Sequence, residues 1–160
     1  MKKFIKLEKL LTEKVSIDDK IQKLIISDDN TIRFLKKKFV GELGEYYFKK
    51  YFEEYTFSID QNKTSNARYD FIVKLNKKGK TKLKINSDKE LKVEVKTRYD
   101  QDGINHIFGI DTNKFDLLAF IKLDKNYVCD HIGIVLREFI NPDKQKRIRY
   151  TDVIKPITIL

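Results

Sequence analysis

Two short segments place charged residues, including Asp70, Glu94 and Lys96, between alternating apolar residues. In residues 69–75 the alternation puts Asp70 on the face opposite the apolar side chains, because successive side chains of a strand point to opposite faces. In residues 90–96 the same rule puts Glu94 and Lys96 on the face opposite the apolar residues. Two neighbouring strands would therefore bring Asp70, Glu94 and Lys96 toward a shared point.

The acid-x-Lys triplet is not selective by itself in this charged sequence. Similar triplets begin at Asp18 and at Glu90. The first lies in a predicted helix, and the second lies next to a polar break. Glu94 and Lys96 instead flank Val95 in the apolar body of the strand, where a charged pair requires a reason. Their position therefore favours this triplet as the one that carries chemistry.

The chemistry that suits these residues is phosphodiester hydrolysis. It needs an activated water, a counter-charge for the transition state and help for the departing oxygen, all of which hard cations supply. Such cations prefer oxygen ligands. Two carboxylates about 4 Å apart repel by roughly 4 kcal/mol at an effective dielectric of 20, so convergence of Asp70 and Glu94 predicts Mg²⁺ between them. Lys96 would orient the water or stabilise the developing negative charge.

A third carboxylate is expected from a long amphipathic helix predicted over residues 31–54. At about 100° per residue, Glu45 falls at the edge of the apolar stripe, whereas Glu42 points nearly opposite. Gly41 and Gly44 lie on the side of Glu45, where missing side chains would let the helix approach the sheet closely. The alternative is that both glutamates are ordinary solvated charges. Helical phase favours Glu45 as the supporting acid.

The composition favours a polyanionic partner. The chain has 34 Lys plus Arg against 24 Asp plus Glu, which gives a net charge of +10 and a pI near 9.5. An excess of basic residues is typical of nucleic-acid-binding proteins. A Lys-rich chain also results from genome base composition, which remains an alternative. One cysteine, Cys129, and two histidines exclude a disulfide or Cys/His zinc site within one chain. We expect Cys129 to be a buried, inert thiol.

One domain is expected for 160 residues, of which 41% are hydrophobic. We predict an α/β fold with an N-terminal helical extension of two short helices (1–30), a catalytic core (31–140) and a C-terminal strand or tail (141–160). Residues 74–84 are predicted as a hairpin with its tip at 76–80, and residues 100–114 as a loop or short helix. The predicted strands are residues 55–60, 69–75, 81–85, 91–99, 117–123 and 131–140.

No segment approaches the roughly 20 apolar residues that a membrane span requires, and the first residues do not form a signal peptide. We expect a cytoplasmic, intracellular protein with no membrane partner.

These residues together resemble a known family pattern. Gly41-x-x-Gly44-Glu45 on a helix, Asp70 in the string Arg-Tyr-Asp-Phe-Ile-Val, and Val-Glu-Val-Lys-Thr around Glu94 look like the PD-(D/E)xK nuclease superfamily, which includes restriction endonucleases, Holliday junction resolvases and some homing endonucleases. The resemblance covers about residues 40 to 140. Tyr69 stands where the nominal proline would be.

The resemblance implies a restriction endonuclease-like core, a four- to five-stranded mixed sheet flanked by helices. It implies Mg²⁺ dependence, with Mn²⁺ able to substitute, and catalytic roles for Asp70, Glu94, Lys96 and Glu45, with Val95 joining the three acids as a metal ligand. It implies a homodimer or homotetramer that cuts double-stranded DNA site-specifically, as restriction or homing enzymes do. The alternatives are a junction-selective resolvase and a non-catalytic nucleic-acid-binding module on the same scaffold.

Basic residues near the catalytic segments are candidates for DNA contact. Six lysines between 74 and 84 would straddle a phosphate backbone, or would form a solvated edge that opposes aggregation. The residues predicted to contact DNA are Arg68, Arg98, Lys63, Lys77, Lys78, Lys80 and Lys114.

Overall fold

A 24-residue helix, α1 (Asp29–Phe52), is the main helix of the chain. The sequence predicted it over 31–54; it begins two residues earlier, and its end tightens into a 3-10 turn at Glu53–Tyr55. Its buried side chains include Tyr47, Phe48 and Phe52, which form one face because residues four apart on a helix lie one above the other. This face is the side of α1 that packs on the sheet, as the apolar stripe of the predicted helix indicated.

The computed structural model describes residues 6–7, 9–14, 16–17, 29–62, 69–99, 106–108, 110–140, 147–149 and 157–160. Its strands are β1 (Thr56–Gln61), β2 (Phe71–Leu75), β3 (Leu91–Tyr99), β4 (His106–Phe108), β5 (Leu117–Leu123), β6 (Cys129–Leu136), β7 (Arg147–Arg149) and β8 (Ile157–Thr158). A mixed sheet runs in the order β1-β2-β3-β5-β6-β8, and β4 pairs with β7 separately. Only β3 and β5 run parallel within the described sheet.

The two faces of the six-stranded sheet pack differently. One face packs on α1 through residues such as Val93, Val95 and Ala119 in the main core. The other face carries a smaller apolar cluster formed by Ile110, Phe115, Leu118, Phe120, Val135 and Ile140. Strands that are buried on both faces read as continuous apolar runs, which explains the run of apolar residues in β5. Alternate residues of β3 therefore point to different apolar environments.

The prediction of a hairpin over 74–84, with a strand at 81–85, was wrong. The segment folds as a short helix, α2 (Lys77–Leu83), capped by Asn76, whose side chain accepts a hydrogen bond from the Gly79 N–H. Asn76 also donates to the carbonyl of Glu54 at 2.9 Å, and a Cβ on Gly79 would lie 2.1 Å from the carbonyl oxygen of Tyr55. Contacts with the 3-10 turn that follows α1 therefore explain why this segment folds as a helix and not as a hairpin.

The main sheet was expected to have four or five strands. The described sheet has six, because the C-terminal β8 pairs with β6. The predicted strand 131–140 ends at Leu136 and continues as a 3-10 turn at Arg137–Phe139. The described residues between 6 and 17 are helical, and the second expected N-terminal helix falls on residues outside the described ranges. None of the helices in the described part of the chain has the length and apolarity to cross a membrane.

Candidate active site

Asp70 is fixed by three hydrogen bonds immediately before β2. Its N–H donates to the Val93 carbonyl at 2.8 Å, and its carbonyl accepts from the Asn62 N–H at 2.8 Å. Its side-chain Oδ2 accepts from the Val95 N–H at 2.6 Å. The main chain and the side chain of Asp70 are thus held against β3, so the carboxylate has a defined position.

Asp70 lies beside the edge of β3. This edge is available to it because β3 continues beyond the residues that pair with β2. In the described residues β2 pairs with Leu91, Lys92 and Val93 of β3 and with no later residue. The N–H and C=O of one strand residue point to the same edge, so the Val95 carbonyl points toward the Asp70 side. Val95 thus has a main-chain oxygen on the edge of β3 beside Asp70, which is compatible with the metal-ligand role that the family resemblance implies.

Glu94 and Lys96 point to the sheet face opposite α1, as the alternation predicted. In the parallel register with β5, Glu94 lies beside Leu118 and Lys96 beside Phe120, both part of the smaller apolar cluster. The Lys96 Nζ donates to Oε1 of Glu94. The side chains keep 18% exposure for Glu94 and 31% for Lys96. The pair is therefore partly desolvated, yet open to a substrate.

Glu45 reaches the site from α1, which lies close to β3. A Cβ on Gly44 would come within 1.7 Å of Oγ1 of Thr97, so the glycine permits this approach as predicted. Gly41 was predicted to do the same, but a Cβ there would meet nothing within 4 Å, because Gly41 lies a turn away from the contact. Glu42 is exposed beside Lys38, whereas Glu45 is partly buried and near enough to Asp70 to feel its charge. Of the two glutamates, Glu45 is therefore the one that lies toward Asp70, as helical phase predicted.

The three carboxyl groups influence one another electrostatically. Burial raises the pKa of Glu45 above its ordinary value, and neighbouring Asp70 raises it further, while the Gln61 hydrogen bond opposes both. Burial also raises the pKa of Asp70, against the Val95 hydrogen bond and the charge of Lys96. The pKa of Glu94 is raised by burial despite its contact with Lys96. Ionising all three acids is thus costly without a neutralising cation.

No ready-made cage of three or more His, Cys, Asp or Glu side chains for a metal ion exists within the described ranges. The contacts explain this, because Glu94 turns toward Lys96 and Glu45 turns toward Gln61. The donors nevertheless suit Mg²⁺, which prefers oxygen ligands and is commonly held by one or two carboxylates together with waters and substrate phosphates. The mutually repelling carboxylates and the Val95 carbonyl fit that description.

Two predicted DNA contacts, Lys114 and Arg98, lie within the described residues around Glu94 and Lys96. Lys114 pairs with Asp111 at 2.9 Å, and its charge is near enough to lower the pKa of Glu94 against the effect of burial. Arg98 follows Lys96 on the same face of β3, where burial lowers the pKa of its guanidinium. Lys63 and Arg68 fall outside the described residues. Lys114 and Arg98 thus extend the positive charge around Lys96 along this face.

The other predicted contacts lie at the opposite end of β2. The five residues of β2 rise about 17 Å and separate Asp70 from α2, which carries Lys77, Lys78 and Lys80. Lys78 pairs with Glu54 and Lys80 with Asp88, while Lys77 is exposed. Tyr55, Lys77, Lys78, Thr81 and Lys82 line a surface groove of about 630 Å³. These lysines can therefore contact a long ligand that also reaches Asp70, but not a small one.

Sequence reasoning missed Gln61, whose Nε2 donates to Oε2 of Glu45 at 2.6 Å. A polar residue at the end of an exposed strand carries no signal by itself, because the contact depends on the packing of α1 on the sheet. Cys129 is buried as predicted, and burial raises the pKa of its thiol to about 12, which keeps it unreactive.

No protein-family model and no curated protein matches the sequence. Among solved structures, the chain is similar to a bacterial homing endonuclease, I-Ssp6803I, with a TM-score of 0.43 and 11% sequence identity. The likeness covers 71% of this chain and 84% of that one.

Proposed function

We propose that this chain is a divalent-metal-dependent endonuclease that hydrolyses phosphodiester bonds of DNA. The observation that supports it most is the meeting of Asp70, Glu94 and Glu45 with Lys96 at one edge of β3. The charge of Asp70 raises the pKa of both Glu45 and Glu94, so placing these acids near one another has an electrostatic cost that a purely structural role does not explain. A bound cation removes that cost.

The residues divide the work of hydrolysis between them. Bound Mg²⁺ would supply an activated water and a counter-charge for the attacked phosphate. Asp70, held by the Val95 N–H, and Glu94 would hold the cation together with the Val95 carbonyl, and Glu45 would support them. The ammonium of Lys96 lies against Glu94, where it would stabilise the negative charge that develops on the phosphate oxygens.

The reaction balances without any other reactant. The oxygen of water forms a bond to phosphorus, the bond from phosphorus to the leaving oxygen breaks, and a proton from water ends on that oxygen. The products are a phosphate monoester and a free hydroxyl. The chain needs to supply no redox group or covalent nucleophile, which agrees with the burial and raised thiol pKa of Cys129.

Double-stranded DNA is the proposed substrate. The net charge of +10 favours a polyanion, and the spread of lysines from Lys114 to α2 suits a ligand many residues long. One such site cuts one strand, so cutting both strands requires two sites, which a homodimer or homotetramer would provide. Site-specific cleavage of the restriction or homing type is the finer form of this proposal.

Cleavage of plasmid DNA in Mg²⁺ by purified protein tests the proposal. The variants Glu94→Ala and Lys96→Ala are expected to lose cleavage. The chain offers a matched control in the exposed residues Glu90, just before β3, and Lys92, at its beginning, which form the same acid-x-Lys triplet. Glu90→Ala and Lys92→Ala are expected to cut like the wild type. Equal nicking by all five proteins would remove the catalytic assignment.

A further inference from the structure

The last residue of β1, Gln61, lies beside the carboxylate cluster. In the antiparallel register it stands opposite Phe71, the residue that follows Asp70. The next residue along the chain, Asn62, donates its N–H to the carbonyl of Asp70 at 2.8 Å. The end of β1 is therefore tied to the same turn that holds Asp70, and the position of Gln61 is fixed relative to the site.

From this position Gln61 contacts the acid contributed by the helix. Its Nε2 donates to Oε2 of Glu45 at 2.6 Å, a hydrogen bond strengthened by the charge of the acceptor. Among the residues that the structure describes, this is the only hydrogen bond to the carboxylate of Glu45. The contact joins β1 to α1 across the edge of the sheet, 16 residues apart in sequence.

Glu45 needs such a partner because its neighbours repel it. Asp70 and Glu94 both act on it as like charges, and a glutamate side chain on a helix has rotamers that carry its carboxylate away into solvent. A donor that binds only one of its two oxygens holds the group in place and leaves the other oxygen available to a cation. Ligands of metal ions are commonly oriented in this way by outer hydrogen-bonding partners.

We infer that Gln61 is a positioning residue, whose amide holds the Glu45 carboxylate at the cluster so that it shares a divalent cation with Asp70 and Glu94. This inference rests on the proposed function and adds to it a residue that touches neither cation nor substrate.

Calorimetric titration of Mn²⁺ into the DNA-free protein tests this role without relying on activity. Gln61→Met keeps the length of the side chain and removes the donor, and Gln61→Asn keeps the amide but shortens its reach. Both are expected to weaken Mn²⁺ binding by about tenfold, the lower end for loss of an outer partner of a ligand. Ser58→Ala, on the same exposed strand, is the matched control and should leave the affinity unchanged.

A second pair of proteins shows whether Gln61 acts through Glu45. Glu45→Ala should weaken Mn²⁺ binding, and Gln61→Met should add nothing to it in the Glu45→Ala background. At saturating Mn²⁺ the Gln61→Met variant should recover the cleavage rate of the wild type, because only occupancy of the site has changed. Far-ultraviolet circular dichroism checks that every variant is folded.

The outcomes separate the two proposals. If the wild type binds Mn²⁺ and cleaves DNA while Gln61→Met binds the cation as tightly as the wild type, the role of Gln61 is overturned and the nuclease stands. An additive effect of Gln61→Met in the Glu45→Ala background overturns it as well. If the wild type neither binds Mn²⁺ nor cleaves DNA, the proposed function fails, and the role of Gln61 fails with it.

Discussion

The Val95 N–H donates a hydrogen bond to Oδ2 of Asp70 at 2.6 Å, so the acid that precedes β2 is held on β3 between Glu94 and Lys96. The contact forms because β2 begins beside Val93 while β3 continues to Tyr99. A side chain thereby takes the place of the next ladder hydrogen bond. The ending of one strand beside a longer one positions the candidate active site.

The close approach of α1 to β3 depends on Gly44. We expect Gly44→Ala to lower the free energy of unfolding by about 2 kcal/mol, a typical cost of overpacking, because its Cβ would overlap Thr97. Gly41→Ala has open space around the new Cβ and should raise that free energy by up to about 1 kcal/mol through helix propensity. Urea denaturation measures both. Equal effects of the two substitutions would contradict the packing described for α1.

Helix α2 is expected to depend on Asn76. Its side chain accepts from the Gly79 N–H and donates to the carbonyl oxygens of Glu54 and Thr56, so Asn76→Ala removes a helix cap and the two hydrogen bonds to these carbonyls. A loss of about 2 kcal/mol in urea denaturation is expected. Asn86→Ala, at an exposed site, is the control and should change stability by less than about 0.5 kcal/mol. If the control is equally damaging, Asn76 is not a cap.

Because the pKa of Glu45 is raised in the folded chain, its ionisation is expected to lower the free energy of unfolding in a pH-dependent way. Between the ordinary and the raised pKa the folded chain binds more protons than the unfolded chain, so this group makes stability fall as pH rises through that window. Glu45→Gln removes the ionisation, so in EDTA the variant should be more stable than the wild type at pH 7.5, with the difference shrinking toward pH 4. Urea denaturation at both pH values measures it.

Glu42→Gln makes the same charge change at an exposed position of α1, beside Lys38, and controls for the loss of a charge on this helix. A Glu45→Gln variant that is less stable than the wild type at pH 7.5 would mean that the carboxylate is stabilising where it lies.

The lysines of α2, together with Lys74 at the end of β2, are expected to bind the phosphate backbone. Replacing Lys74, Lys77 and Lys82 with alanine should reduce the dependence of DNA binding on salt, by a slope of about 0.9 for each phosphate that the variant no longer neutralises. Lys122→Ala removes the same charge at a residue that pairs with Asp130 at 2.8 Å and should leave the slope unchanged. Fluorescence anisotropy in Ca²⁺ at several salt concentrations gives the slopes. An unchanged slope in the triple variant would make these lysines a solvated edge.

The sequence was sufficient to predict the direction of a side chain wherever one face of a strand or helix must be buried, because burial then imposes a regular spacing of apolar residues. Alternation in residues 69–75 and in β3 predicted that Asp70, Glu94 and Lys96 would lie toward a shared point, because Val93 and Val95 must enter the core on the other side. Asp70 itself lies just before β2, which begins at Phe71. Helical phase separated Glu45 from Glu42 for the same reason.

Features that depend on tertiary contact were not predictable. Residues 81–85 alternate like a strand, yet Leu83 is a buried residue of α2. Asn76 ties the beginning of α2 to the carbonyls of the 3-10 turn that follows α1. Gln61 is part of the site only because α1 packs close enough to β1 for its amide to reach Glu45. The close contact predicted for Gly41 failed since phase gives a direction around the helix but not the point of contact along it.

Asp70 is proposed to hold the cation that DNA cleavage requires. The most direct test compares the initial rates of plasmid cleavage in Mg²⁺ by Asp70→Asn and by the wild type. Asparagine keeps the oxygen that accepts from Val95, so the fold should persist while the charge is removed. Asp60→Asn, at an exposed site of β1, controls for the charge change. We expect a loss of at least about 100-fold for Asp70→Asn and none for Asp60→Asn. Cleavage by Asp70→Asn at the wild-type rate would contradict the proposed active site.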